Sequence, residues 1–86
     1  MVTYYVKAKD TAARVAKLAY KSVKESRCIE LQALGNMRVS TAVKSATKAL
    51  GMLMSDDIIS TIVVNYGSTE CSGKDLSTVR IQLKKV

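Results

Sequence analysis

Two stretches of helical period, each entered from a short run of strand formers, constrain this chain more than any other feature. Residues 3–8, TYYVKA, predict a first strand. From Thr11 to Glu25, Ala12, Val15, Ala16, Ala19 and Val23 recur at the spacing of one helix face, and Asp10 is placed to cap the start. Residues 27–34 then alternate, with Ile29, Leu31 and Ala33 on one side and Cys28, Glu30, Gln32 and Leu34 on the other. A second helix is expected from Met37 to Leu50 on a stripe of Val39, Ala42, Val43, Ala46, Ala49 and Leu50, with Gly51 as its stop. Residues 58–66 are β-branched, and Val79, Ile81 and Leu83 alternate with Arg80 and Gln82 across 77–83. The intervening GSTECSGKDL reads as a hairpin loop of about ten residues, longer than a tight connection needs.

The order is βαβαββ. Strands joined by a helix pair in parallel, and the last two pair antiparallel. The fold class is therefore α+β: a two-layer sandwich with two helices on one face of a four-stranded mixed sheet. The alanine-rich stripes let both helices lie close to the sheet. Its other face should carry Tyr5, Lys7, Glu30, Gln32, Arg80, Gln82 and Lys84, polar and mixed in sign, and no partner follows from it.

At 86 residues the chain is read as one domain over 1–86. With four tyrosines as its only aromatics, it must fill its core with Val, Ile, Leu, Ala and Met. Met37, Met52 and Met54 are expected to fill the end of that core, the alternative being a subunit interface. A core this small gains from a second subunit covering apolar surface, so a homodimer or higher homo-oligomer is expected. The two cysteines, Cys28 and Cys71, form no disulfide framework and are read as free thiols. With no histidine there is no plausible zinc site, no nucleophile–base arrangement and no implied cofactor. Asp56 and Asp57 are adjacent and would not face one site; a helix-entry or loop role suffices. The N-terminus lacks a signal-peptide apolar run and no stretch is long enough to span a bilayer, so a cytoplasmic, nucleoid-associated or nuclear location is expected and secretion is not.

Fourteen Lys and Arg stand against seven Asp and Glu, a formal charge of +7. Solubility alone accounts for some surplus, but one this large on a small domain favours a polyanionic partner, nucleic acid first. The place to hold one is the junction LQALGNMRVSTAV, residues 31–43. Backbone N–H groups at a helix start lack intrahelical partners and carry the positive end of the dipole. Asn36 is expected to cap one of them, and Gly35 permits positive φ and close approach of an anion. Arg38 in the first turn is disfavoured by the dipole by about 0.3–1 kcal/mol, a sign that a bound phosphate would reverse. The simpler alternative is that Gly35 turns, Asn36 caps and Arg38 swings into solvent. The ends of the first two strands should lie at one sheet edge, bringing Lys9 toward Asn36 and Arg38. Lys44 and Lys48, four residues apart on the second helix, either extend this patch or solvate the helix.

The segment IELQALGNMRVSTAVKSATKALGML resembles the central part of the stage V sporulation protein S family. Gln32, Ala33, Gly35, Ala42, Val43 and Lys44 match its strand, Gln-Ala-Ile-Gly and helix pattern without a gap. That family is related to the Alba proteins, small dimeric DNA- and RNA-binding chains of βαβαββ order, and STVRIQLKK is similar to their last strand. The resemblance implies a phosphate contact at the end of the first strand, where Lys9 and Lys7 fall. It also implies a basic arm between the last two strands, represented here by Lys74 beside Glu70 and Asp75. The expected function is nucleic-acid binding with little sequence selectivity and no catalysis, through Lys7, Lys9, Gly35, Asn36, Arg38, Lys44 and Lys74. The lack of exposed aromatics at stacking spacing argues against reading single-strand bases; Tyr4 or Tyr5 could stack one, although alternation sends one of the two to the core. The alternative is a regulatory module, like the sporulation relatives, that meets an acidic protein.

Overall fold

The computed structural model describes residues 2–86. Its elements are β1 (Val2–Tyr5), α1 (Ala12–Ser26), β2 (Cys28–Leu34), α2 (Asn36–Ser55), β3 (Ser60–Cys71) and β4 (Lys74–Lys85). The strands form one sheet in the order β1-β2-β4-β3, with β1 and β2 parallel and β4 antiparallel to both its neighbours. This is the α+β sandwich that the periodicities predict. Ile29, Leu31 and Ala33 of β2 and Val79, Ile81 and Leu83 of β4 are buried in one cluster with Val15, Ala16, Ala19 and Val23 of α1 and Ala42, Ala46, Ala49 and Leu53 of α2. The helix stripes are mostly alanine, so α1 and α2 pack against each other as well as on the sheet.

Four local expectations are corrected. The first concerns the supposed loop between the last two strands, which is a two-stranded ribbon. Pairing continues without a bulge from Ser60↔Lys85 to Cys71↔Lys74, and the turn is only Ser72 and Gly73, with φ of 54° and 77°. Two consecutive positive φ values suit the tight turn whose twist matches that of paired strands. Cys71 accordingly ends a strand, and both cysteines are free. The second is the end of α2, which runs through Gly51 to Ser55. Leu53 continues the Ala42, Ala46, Ala49 stripe and is fully buried, and burying it outweighs the ~1 kcal/mol that a mid-helix glycine costs. Asp56 then caps the helix exit rather than an entry, and its carboxylate accepts from the Tyr20 hydroxyl and forms an ion pair with Lys24 at 3.6 Å.

The third correction moves β1, which stops at Tyr5, so Lys7 lies in a turn and not on the open sheet face. Asp10 closes that turn rather than capping α1. Its carboxylate accepts from the Lys7 N–H at 2.7 Å and the Tyr4 hydroxyl at 2.8 Å, while its own N–H donates to the Lys7 carbonyl at 3.0 Å. The cap of α1 is Thr11, whose hydroxyl accepts from the Arg14 N–H. Fourth, of Met37, Met52 and Met54 only Met52 packs against the core. Met37 and Met54 are exposed.

Candidate functional site

The two strand-to-helix junctions meet at one end of the sheet. β1 gives way to a tight turn with Ala8 and Lys9 at its tip, both exposed. The Asp10 carboxylate fixes this turn. The Lys7 N–H is the main cause holding that carboxyl below the usual range, with the Tyr4 hydroxyl helping against desolvation. Tyr4, donating to Asp10, has its own phenol pushed up. The Lys7 ammonium lies 6.0 Å from the Tyr4 ring centre, the outer limit of a cation–π contact.

β2 gives way to α2 at Gly35, and here the expected cap is corrected. Gly35 itself is the N-cap, with no side-chain hydrogen bond, and Asn36 is the exposed first residue of the helix. The Gly35 carbonyl accepts from the Val39 N–H at 2.9 Å, and its N–H donates to the Ser77 carbonyl at 2.7 Å, which ties the junction to the base of the ribbon. Its φ of 92° and ψ of 150° belong to a region that side-chain-bearing residues avoid. A Cβ there would meet nothing within 4 Å, so the conformation and not crowding demands glycine. Gly35→Ala is expected to cost about 1–3 kcal/mol, read from the urea midpoint. Gly51→Ala, in equally open space inside α2, should gain up to ~1 kcal/mol in the same assay.

A groove of about 410 Å³ lies over the start of α2, lined by Leu34, Gly35, Asn36, Met37 and Arg38 with Ala8 from the first turn and Leu76 from the ribbon. Arg38 is half-buried and also lines a second groove, of about 460 Å³, that opens toward the face of the sheet away from the helices. No carboxylate-bearing residue lines either groove. Asp10, Glu30 and Asp56 are occupied elsewhere by hydrogen bonds, and Arg38 has no ion-pair partner among the described residues. The junctions therefore bring Gly35, Asn36 and Arg38 together and set the Lys7–Lys9 turn at their rim.

Lys44 is exposed on α2 and lines neither groove. Lys74 stands at the ribbon tip, three residues beyond Ser77, or ~10 Å along an extended strand. Sequence reasoning missed the second groove. Tyr5, Gln32 and Arg80 share its face by alternation, but that they line up as direct neighbours across β1, β2 and β4 follows from a register no single strand reveals.

No protein-family model matches the chain, and no curated protein is similar to it in sequence. Solved structures are similar in shape. Alba from Thermoplasma volcanium superposes with a TM-score of 0.69 at 16% identity, over 95% of this chain and 98% of that one. The fold is that of the Alba proteins. ALBA1 from Trypanosoma brucei agrees with a TM-score of 0.59 at 13% identity, over 98% of this chain and 69% of its own. Alba chains thus share the sheet order that places both junctions at one end. Among the described residues, no helix is long and apolar enough to cross a membrane and no cluster of side chains is suited to a metal ion.

Proposed function

We propose that this Alba-fold chain is a nucleic-acid-binding protein that grips the phosphate backbone with little base selectivity and catalyses no reaction. The observation that carries this reading is the carboxylate-free groove where Gly35, Asn36 and Arg38 meet the Lys7–Lys9 turn. Unpaired N–H groups at the α2 start, the helix dipole and the Arg38 guanidinium all favour an anion at that place. The cationic surplus of +7 supplies long-range attraction. The resemblance of residues 29–53 to the stage V sporulation protein S family, and of STVRIQLKK to the last Alba strand, supports a place in the Alba superfamily, whose Alba branch binds DNA and RNA. Lys74 on the ribbon and Lys44 on α2 add cations beyond the groove, and a cytoplasmic or nuclear setting suits such a partner.

The working unit in this reading is a homodimer built from the single domain 1–86. Edge strand β3 leaves Ile59, just before it, and Val63, Val64 and Tyr66 exposed, which a second copy would cover. Mobility shifts on duplex DNA across a salt series test the function. Log affinity should fall linearly with log salt by about 0.9 per phosphate neutralised. Lys9→Ala with Arg38→Ala should reduce that slope by about two units per protomer engaged, with light scattering supplying the protomer count. An unchanged slope would place the contact elsewhere, and no retardation of DNA or RNA at low salt would instead favour a protein-interaction module.

A further inference from the structure

The open face of the sheet carries a second binding feature that phosphate contacts at the junction leave unused. Tyr5, Gln32, Arg80 and Asn65 stand side by side across the four strands. Tyr5 is 65% exposed, on the open face where alternation places it. Two strand spacings, roughly 10 Å, separate its backbone from that of Arg80, with the Gln32 amide between. Leu34 and Thr78 pair across β2 and β4 at the end of this row, and Arg38 reaches in from α2. All of these but Asn65 line the groove of about 460 Å³, within the range of cavities that hold small organic ligands.

The groove is built rather than incidental. Beside it on the same face of β2, Glu30 is buried, and its carboxylate accepts from Arg80 Nη2 at 3.1 Å, from Gln82 Nε2 at 3.0 Å and from Gln32. Three donors thus converge on that carboxylate. Glu30 thereby anchors one edge of the Arg80 guanidinium, whose side chain is otherwise 60% exposed, and holds the Gln32 amide beside it. The result is an aromatic ring on β1 at one side, the Gln32 amide and the apolar Leu34 on β2 in the middle, and the Arg80 guanidinium and Thr78 hydroxyl on β4 at the other, with Arg38 added from α2.

We infer that this groove is a subsite for one unpaired nucleotide of a single-stranded nucleic acid. The base stacks on Tyr5, and the flanking phosphate lies between Arg38 and Arg80. The assignment rests on the nucleic-acid reading above and deepens it. Charge complementarity selects an anion, and the exposed ring selects one that carries a flat π-surface. A duplex base, stacked on both faces by its neighbours, cannot offer that surface, so the subsite prefers unpaired segments. Arg38 lines both grooves and would pass the backbone from the junction onto the sheet.

Fluorescence anisotropy with a labelled uridine 12-mer, the same strand with abasic positions, and a duplex of equal phosphate number tests the assignment. Tyr5→Ala is expected to weaken the uridine strand by about tenfold, in the range found for removal of a stacking aromatic. It should leave the abasic strand and the duplex within about twofold, and Tyr5→Phe should restore binding. Wild-type protein should itself bind the uridine strand more tightly than the abasic one, a comparison independent of any variant. Equal loss on all three probes, or none on any, would overturn the subsite while leaving salt-dependent phosphate binding intact. Failure of the wild-type protein to bind any probe would overturn both. Uridine monophosphate bound as tightly as the 12-mer, and dependent on Tyr5, would assign the groove to a free nucleotide and overturn the chain.

Discussion

Leu31→Ala is expected to cost about 3 kcal/mol, within the 2–5 kcal/mol range of buried leucine truncations. Leu31 is fully buried at the centre of β2, with Tyr4 of β1 and Ile81 of β4 directly beside it. The alanines of α1 and α2 cover the same cluster and cannot reach into the space the lost side chain leaves. Against a total stability of roughly 5–15 kcal/mol for a domain, that is a large fraction. A chain of this size should lose about 4–8 °C of melting temperature per kcal/mol, so calorimetry should show a drop of more than 10 °C. Leu31 points away from both grooves, and the salt slope of the variant below its melting point should match that of the unaltered protein. A melting temperature within 3 °C of the starting value, or a changed slope, would contradict the packing described.

The second large effect belongs to Glu30. Bonds from Gln82 and Gln32 hold its carboxyl below the usual carboxylate range, Arg80 adds to the effect, and desolvation opposes it. Glu30→Gln presents an amide to three donors that need an acceptor, and hydrogen bonds to a charged group contribute about 1.5–3 kcal/mol. A loss of about 2–3 kcal/mol at pH 7 is expected by urea unfolding. Its pH dependence has a definite sign. Folding lowers the proton affinity of this carboxyl, so its stabilisation is fully present above the ordinary value of 4.5 and fades as pH falls through the lower folded value. The gap between the two proteins should stay constant from pH 7 to about 5 and narrow only below that. A gap that persists undiminished at pH 2 would mean that the carboxylate charge is not what the network uses.

Which parts of this molecule were legible beforehand follows from where solvent meets the chain. β2 and β4 are covered on one face only, so Ile29, Leu31, Val79 and Ile81 alternate with polar residues and reveal both strand and orientation. The ribbon has solvent on both faces. Its residues 67–76 therefore carry no apolar alternation, and their glycines and polar side chains resemble those of a loop. The α2 terminus was misplaced because Gly51 reads as a stop, although Leu53 continues the stripe beyond it. At the site, Gly35 and Arg38 were visible as an uncommon pair at a helix start. Asn36 makes no cap because Gly35, at positive φ, takes the N-cap position and leaves Asn36 as the first residue inside the helix. Tyr5 was legible on the open face, but the groove around it was not, because alternation fixes which face a side chain takes, whereas its neighbours there depend on β4 inserting between β2 and β3.

The bulge-free ribbon with its two-residue turn also sets a rule for how such an arm can change size. Each matched pair removed shortens it by ~3.4 Å, but side chains alternate with period two. Deleting one residue from each strand therefore rolls everything distal, Lys74 included, onto the opposite side. Only excisions of two per strand, four residues in all, keep the tip presenting the same surface. Natural variation in arm length among chains that use this tip should come in fours.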